Sequence, residues 1–165
     1  METEPNQNQS SKFSAVKGFF WDLTKILAWS LLIIIPFRLF IAEPFVVSGS
    51  SMVPNFHNKD YLIIDRISYR KSEPARGDVV VIKYPKDNKQ YFIKRIIALP
   101  GETVELKNGE VFIVNKQEPL GFEINESYLS KNIQTLGRAG PVTLGSGEYY
   151  VFGDNRTASS DSRVW

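Results

Sequence analysis

The sequence predicts a mainly β protein, with one N-terminal transmembrane helix followed by an antiparallel β domain, barrel-like or sandwich in form. Three observations predict it. One long apolar stretch lies near the N-terminus, in Ile26 to Phe37. From residue 43 onward, short runs rich in β-branched and aromatic residues alternate with turn signals, without helical periodicity of useful length. The length of 165 residues leaves room for one domain of ordinary size plus an anchor or tail.

Residues 1–17 are polar and rich in Asn, Gln and Ser, which reads as a mobile cytoplasmic tail. Residues 18–42 read as the anchor. Ile26 to Ala42 gives 17 residues with one charge, Arg38, near the low end of the ~17–25 that span a bilayer. Arg38 can snorkel to the interface, and Trp21 and Trp29 suit interfacial positions. A cleaved signal peptide competes with this reading, but Ile41-Ala42-Glu43-Pro44-Phe45 offers no Ala-x-Ala-like site. A buried core helix is the other alternative. Lys12, Lys17 and Lys25 precede the span and put the N-terminus in the cytoplasm by the positive-inside rule, with residues 43–165 outside.

Strands are expected at Tyr61–Arg66, Asp78–Tyr84, Tyr91–Ala98, Thr103–Leu106, Val111–Val114 and Tyr149–Phe152. Turn signals at Pro85–Asn88, Pro100-Gly101 and Asn108-Gly109 separate several of them. The last, between Val-Glu-Leu and Val-Phe-Ile-Val, is a strong two-residue hairpin signal.

Composition narrows the chemistry. A net charge of +2, with dispersed basic residues, does not imply a nucleic-acid partner. The absence of cysteine removes thiol nucleophiles, disulfides and cysteine-based zinc sites. A single histidine, His57, leaves no multi-histidine metal centre, and neither metal nor cofactor is expected. Hydrolytic chemistry must then rest on hydroxyls, carboxylates, amines or one imidazole.

Lys94 is the most informative residue. In Tyr91–Ile97, strand alternation puts Phe92 and Ile96 on its face. Desolvation among such groups favours the neutral amine, and a lysine tuned to roughly pH 7–8 can act as a base. On this heptapeptide alone, a lysine snorkelling from an edge strand explains the pattern as well. Ser48-Gly49-Ser50-Ser51-Met52-Val53-Pro54 is a Gly/Ser-rich turn that can expose a hydroxyl and aim N–H groups at an oxyanion. It lacks the second glycine of a G-x-S-x-G elbow, and taken alone it reads equally as a plain turn. The polar run Gly153–Arg163 follows an apolar strand, as either a well-bonded loop or the support of a site. Its carboxylates do not match an EF-hand.

Together these segments resemble the type I signal peptidases of bacterial type, membrane-anchored Ser/Lys-dyad proteases, from about residue 38 onward. Ser51-Met52-Val53-Pro54 resembles the S-M-x-P block, after the Glu43-Pro44 junction. Arg76–Val81 is similar to the R-G-D-V-V-V strand, and Ile93–Ile97 with Leu99-Pro100-Gly101-Glu102 to the block holding the general base. Gly153-Asp154-Asn155-Arg156 with Ser159, Asp161, Ser162 and Arg163 is similar to the G-D-N-R-x-x-S-x-D-S-R signature, and Asn125–Leu129 to an E-x-Y-L element.

The resemblance implies Ser51 as nucleophile, Lys94 as general base and Ser159 as the hydroxyl orienting the lysine. It implies Asp154, Asp161 and Arg163 as bracing residues, and no cofactor. The Ser51 N–H is the implied oxyanion donor. The implied substrate is a secretory precursor, cut after an Ala-x-Ala-like site while its apolar segment lies in the bilayer, in a plasma or thylakoid membrane. Phe45, Val46, Val47, Met52 and Phe56 fit a surface that dips into the interface, with Phe45, Val47 and Met52 lining substrate pockets.

Three positions depart from the pattern. Ser48-Gly49 stands where many members have Pro-Ser, so an oxyanion-hole hydroxyl supplied there in some members is absent. Ala98 stands where glycine is usual. Relatives normally continue through a further β segment, whereas this sequence ends at Trp165, so a fragment or a shortened, catalytically impaired member is expected. His57, six positions after Ser51, reads as a surface loop residue rather than a base. Two alternatives accompany this reading: a soluble self-cleaving repressor-type Ser/Lys protease, which would need a DNA-binding domain where the apolar span lies, and a non-catalytic membrane-anchored β module.

Overall fold

The computed structural model describes residues 7–40, 42–65, 67–130, 133–137 and 140–165. The chain divides into two units, Met1–Glu43 with Asp65–Ile67, and Pro44–Ile64 with Ser68–Trp165.

The first unit is dominated by helix α1, Gln7–Phe40. Within it Val16–Arg38, 23 residues with a mean hydropathy of 1.6, is long and apolar enough to cross a membrane. At ~1.5 Å per residue this segment is ~35 Å long, against a hydrocarbon core of ~30 Å. None of that window is buried, and Phe19, Trp21, Leu27, Trp29 and Ile33 are all exposed. The helix begins at Gln7, inside the segment whose polarity suggests a tail. Neither Gly nor Pro occurs between Gln7 and Lys17, so nothing there stops the helical hydrogen-bond ladder. Residues 1–6 of that tail lie outside the described residues.

A two-stranded ribbon pairs β1 (Ala42–Val46) with β2 (Tyr61–Asp65). Two further antiparallel sheets build the second unit. One has the order β3 (Val79–Tyr84), β4 (Asp87–Ala98), β9 (Tyr150–Phe152). The other has the order β7 (Phe122–Glu123), β6 (Glu110–Val114), β5 (Thr103–Lys107), β8 (Val142–Thr143). Ile97 and Ala98 of β4 and Tyr150 and Phe152 of β9 pack with Val104, Val111, Ile113, Ile124 and Leu144, so the core joins the two sheets.

Turn chemistry accounts for two hairpins. Lys107 pairs with Glu110 across Asn108 and Gly109, which have φ of 54° and 87°. Both central residues of a type I′ turn need positive φ, which the Asn-Gly pair supplies. The β3–β4 turn is tighter than the signal at Pro85–Asn88 suggests. Tyr84 pairs with Asp87, leaving only Pro85-Lys86 at the tip. Asp87 and Asn88 therefore belong to β4, where the Asp87 carboxylate accepts from the Lys89 N–H and the Gln90 side chain. Strands β1, β7 and β8 carry no such local signal and owe their form to distant partners.

Candidate active site

Strand β4 is the platform. It lies between β3 and β9, and its residues run from exposed at Lys89 to fully buried at Ala98. Lys94 sits in that central strand opposite Val80, with 2% of its surface exposed. A snorkelling edge lysine is excluded by this position. Its Nζ donates to Ser51 Oγ at 2.8 Å and to the Ile93 carbonyl at 3.0 Å. Burial depresses the Lys94 pKa below the usual lysine value, and Asp161 and Asp154 pull in the opposite direction without overcoming it. Of the expected desolvating neighbours, Ile96 is buried. Phe92 places its ring centroid 5.1 Å from Nζ, so it excludes water but also attracts the ammonium form.

Ser51 opens a tight turn in which Asn55 N–H and Phe56 N–H both donate to the Met52 carbonyl, at 2.9 and 3.0 Å. The preceding Ser48, Gly49 and Ser50 are exposed, and Gly49 has φ of 102°, a conformation that favours glycine. This segment is tethered by Gly49 N–H to Asn58 Oδ1 at 3.1 Å and by Val47 N–H to the Asp60 carbonyl at 2.9 Å. It walls a cleft of about 260 Å³ that reaches Ser51 and Lys94, with Phe45, Val47, Leu62, Val81 and Ile93 among its apolar lining. Phe45 and Val47 thus lie where the sequence suggests. Met52 does not: it is 1% exposed and outside the lining, because the turn that presents Ser51 directs the next side chain into the interior. His57 is exposed and outside the cleft lining; its backbone N–H donates to the Asp60 carboxylate and its carbonyl accepts from the Asp60 N–H.

The loop after β9 braces the pair. Asp154 and Asp161 are fully buried. Asp154 takes a two-point contact from Arg95, at 2.8 and 2.6 Å, and a third bond from Asn55 Nδ2 at 2.8 Å. Asp161 takes a two-point contact from Arg163, at 2.8 and 2.7 Å, and the Gly153 N–H at 3.0 Å. Burial alone would raise the Asp161 carboxyl, but Arg163 and the Gly153 N–H outweigh it and hold the pKa below the usual range. Each carboxylate near Lys94 thus already has an arginine, which limits how strongly it can retain the lysine proton.

Ser159 departs from its implied role. Its Oγ is buried with no atom in hydrogen-bonding geometry, while Lys94 donates to Ser51 and Ile93 instead. Ser159 packs on Gly153, where a Cβ would fall 2.2 Å from Ser159 Oγ and 2.3 Å from the Ser51 carbonyl oxygen.

Several supporting residues escape sequence reasoning. Arg156 is buried against Glu126 and Thr135, and its Nε donates to the Gly153 carbonyl at 3.1 Å. Asn155 donates from its backbone N–H to the Ser51 carbonyl at 3.0 Å and from Nδ2 to the Ser50 carbonyl at 3.1 Å. Arg95 and Asn155 stood beside Lys94 and within the G-D-N-R run, so adjacency to the chemical residues was the available signal.

The structure thus brings a buried amine onto a hydroxyl at a cleft lined by both apolar and Gly/Ser residues. Comparison with known proteins agrees. The family described as "Signal peptidase, peptidase S26" matches residues 20–165. The chain belongs to the signal peptidase, peptidase S26 family. It is 36% identical over 170 residues to Signal peptidase I of Bacillus amyloliquefaciens, spanning 98% of this chain and 83% of that protein. It is 33% identical over 171 residues to Signal peptidase I T of Bacillus subtilis (strain 168), spanning 99% and 85%. A crystal structure of a signal peptidase I from Enterococcus faecalis V583 aligns with 56% of this chain and 86% of its own, at 31% identity and a TM-score of 0.45. As a member of the S26 family, this chain is a serine peptidase, a hydrolase of peptide bonds.

Proposed function

We propose that the chain removes N-terminal signal peptides from secretory precursors after an Ala-x-Ala-like site, with Ser51 as nucleophile and Lys94 as general base. The observation that carries this reading is the 2.8 Å contact between Lys94 Nζ and Ser51 Oγ, made by a lysine that is 2% exposed. A serine hydroxyl is inert unless a neighbouring base takes its proton, and a desolvated amine does so without histidine. Ser51 Oγ attacks the scissile carbonyl as its proton passes to Lys94 Nζ. The carbonyl π pair moves to oxygen, which the Ser51 N–H stabilises. Collapse expels the new N-terminal amine of the mature protein, protonated by Lys94. Water, deprotonated by the same amine, then bonds to the acyl carbon, and the Ser51 Oγ–carbon bond breaks as Lys94 returns the proton to Oγ, releasing the signal peptide with a free carboxyl end. Small apolar side chains of the precursor enter the cleft between Phe45, Val47, Val81 and Ile93.

Residues 18–42 anchor the enzyme in the plasma or thylakoid membrane, a reading supported by the apolar helical span that ends at Arg38, with residues 1–17 cytoplasmic and 43–165 as the extracytoplasmic catalytic domain. Asp154, Asp161 and Arg163 hold the base and the nucleophile in register. Ser159 packs on Gly153 beside the Ser51 carbonyl in the free enzyme.

Cleavage of a synthetic precursor tests the dyad. Ser51→Ala and Lys94→Ala each abolish turnover, and the double variant is no worse than either, because the two act as one unit. Retention of substantial activity in Lys94→Ala, or its loss in His57→Ala, would overturn the assignment. For topology, protease added to sealed inside-out vesicles trims only the N-terminal residues up to about 20. Digestion around Ser51 under those conditions would reverse the orientation.

A further inference from the structure

The segment that leads into Ser51 is tethered through the Val47 and Gly49 N–H groups but not by side-chain packing at 48–50. Ser48, Gly49 and Ser50 are all exposed, and nothing lies within 4 Å of where a Cβ on Gly49 would stand. Side-chain packing therefore does not set the orientation of the peptide plane between Ser50 and Ser51. Yet that plane matters to the chemistry. The bond is trans, so the Ser50 C=O and the Ser51 N–H point in opposite directions from one rigid unit. Whatever fixes the carbonyl also aims the N–H.

The Ser50 carbonyl accepts from Asn155 Nδ2 at 3.1 Å and from the Val53 N–H at 3.2 Å. The next plane is held by the same residue, since the Ser51 carbonyl accepts from the Asn155 N–H at 3.0 Å. Asn155 thus pins both peptide planes that flank the Ser51 Cα. Its own amide is oriented by Thr157, whose Oγ1 donates to Asn155 Oδ1 at 3.2 Å, leaving Nδ2 to face Ser50. Its backbone is set between Asp154 and Arg156, both buried and both ion-paired. A hydrogen bond accepted by the carbonyl also polarises the peptide, which strengthens the N–H on its far side as a donor.

We infer that Asn155 is a positioning residue whose side chain, through the Ser50–Ser51 peptide, aims the Ser51 N–H at the oxyanion that develops on the scissile carbonyl. This rests on the reading of Ser51 as the nucleophile. The contribution is made in the transition state, because the ground-state carbonyl demands far less of the donor than the oxyanion does.

The test uses the full chain in detergent, a synthetic precursor and a peptide aldehyde matching its acyl side. The aldehyde reports on the hole directly. Ser51 Oγ bonds to the aldehyde carbon, the π pair moves to oxygen, and Lys94 takes the Oγ proton. Asn155→Ala removes the donor without adding charge, and Asn155→Asp keeps the outline while losing the donor. Both should lower kcat by about 10–100-fold, with KM within about twofold and aldehyde affinity falling in step with kcat. The acid limb of the Asn155→Ala pH profile should stay in place, since the base is untouched. An unchanged kcat, a loss carried by KM, or aldehyde affinity that holds while kcat falls would overturn the inference. If either variant unfolds, Thr157→Val, at an exposed position, frees the amide and should lower kcat several-fold, with no effect refuting the role. Ser51→Ala separates the two levels. Should it still cleave, the nucleophile assignment fails; should it be inert while Asn155→Ala matches the parent, only the inference about Asn155 fails.

Discussion

Replacing Gly153 with alanine adds one methyl group at the most crowded point of the site. The added Cβ would meet the Ser51 carbonyl oxygen at 2.3 Å, Ser159 Oγ at 2.2 Å and Ser159 Cβ at 2.6 Å. The Ser159 side chain can rotate away, but a backbone carbonyl cannot. The shortfall between 2.3 Å and an ordinary 3.4 Å contact is about 1.1 Å, so the Ser51 backbone must retreat by roughly that distance. A misplacement of ~1 Å in a catalytic group costs about 100-fold in rate. This corresponds to ~2.7 kcal/mol of barrier, at ~1.36 kcal/mol per tenfold. Overpacking costs a further ~1–3 kcal/mol in stability. The assay is kcat/KM on a synthetic precursor beside a thermal melt, with Gly140→Ala as control because nothing lies within 4 Å of its added Cβ. Gly153→Ala should lose about two decades of kcat/KM and melt lower, while the control does neither. Activity within twofold of the parent in Gly153→Ala would show that the nucleophile loop is not clamped where the geometry places it.

Because burial depresses the Lys94 pKa, kcat/KM should fall on the acid side through a midpoint below the ordinary lysine value, as protonation removes the base. Phe92→Leu keeps the apolar cover but removes the ring 5.1 Å from Nζ, so losing ~0.5–1 kcal/mol of cation–π attraction should move that midpoint down by about 0.4–0.7 pH unit. Ile96→Thr, by hydrating the amine, should move it up; two unmoved limbs would refute the tuning. The folded state binds the Lys94 proton less readily than the unfolded chain, so its contribution to stability is greatest above the unfolded pKa. That contribution declines as pH falls and levels off below the folded pKa, which Lys94→Met should abolish in chemical denaturation across pH. Asp154→Asn leaves the Arg95 guanidinium, with a side chain 11% exposed, without its counter-charge, and should cost about 3–5 kcal/mol by urea titration.

The parts of the fold legible in the sequence are those whose cause is local. Asn108-Gly109 specifies its own turn, and the apolar run Tyr91–Ala98 specifies a buried strand whatever its neighbours are. The two-residue strands Phe122–Glu123 and Val142–Thr143 exist only because β6 and β5 offer free edges to pair with. The site divides in the same way. Ser51 and Lys94 stand out because each sits in a block of distinctive chemistry, and the structure brings the two side chains together. Met52 misleads because alternation around a tight turn cannot be read from hydrophobicity, and the turn sends that side chain inward. Asn155 is marked in the sequence only by its place in the G-D-N-R run, because its partners, the carbonyls of Ser50 and Ser51, lie more than a hundred positions away.

The chain keeps two kinds of cation for two purposes. The low-exposure ion pairs of the β unit, Arg76–Glu102, Arg95–Asp154, Arg156–Glu126 and Arg163–Asp161, all employ arginine. Among the described residues the buried lysine is Lys94, which is bonded to a hydroxyl instead. Guanidinium groups hold their protons throughout any range in which a protein stays folded, whereas an amine gives its proton up. With Lys94 as the proposed base, raising the pH to release its proton leaves the scaffold's arginine pairs untouched, so the conditions that would activate Ser51 do not loosen the frame around it.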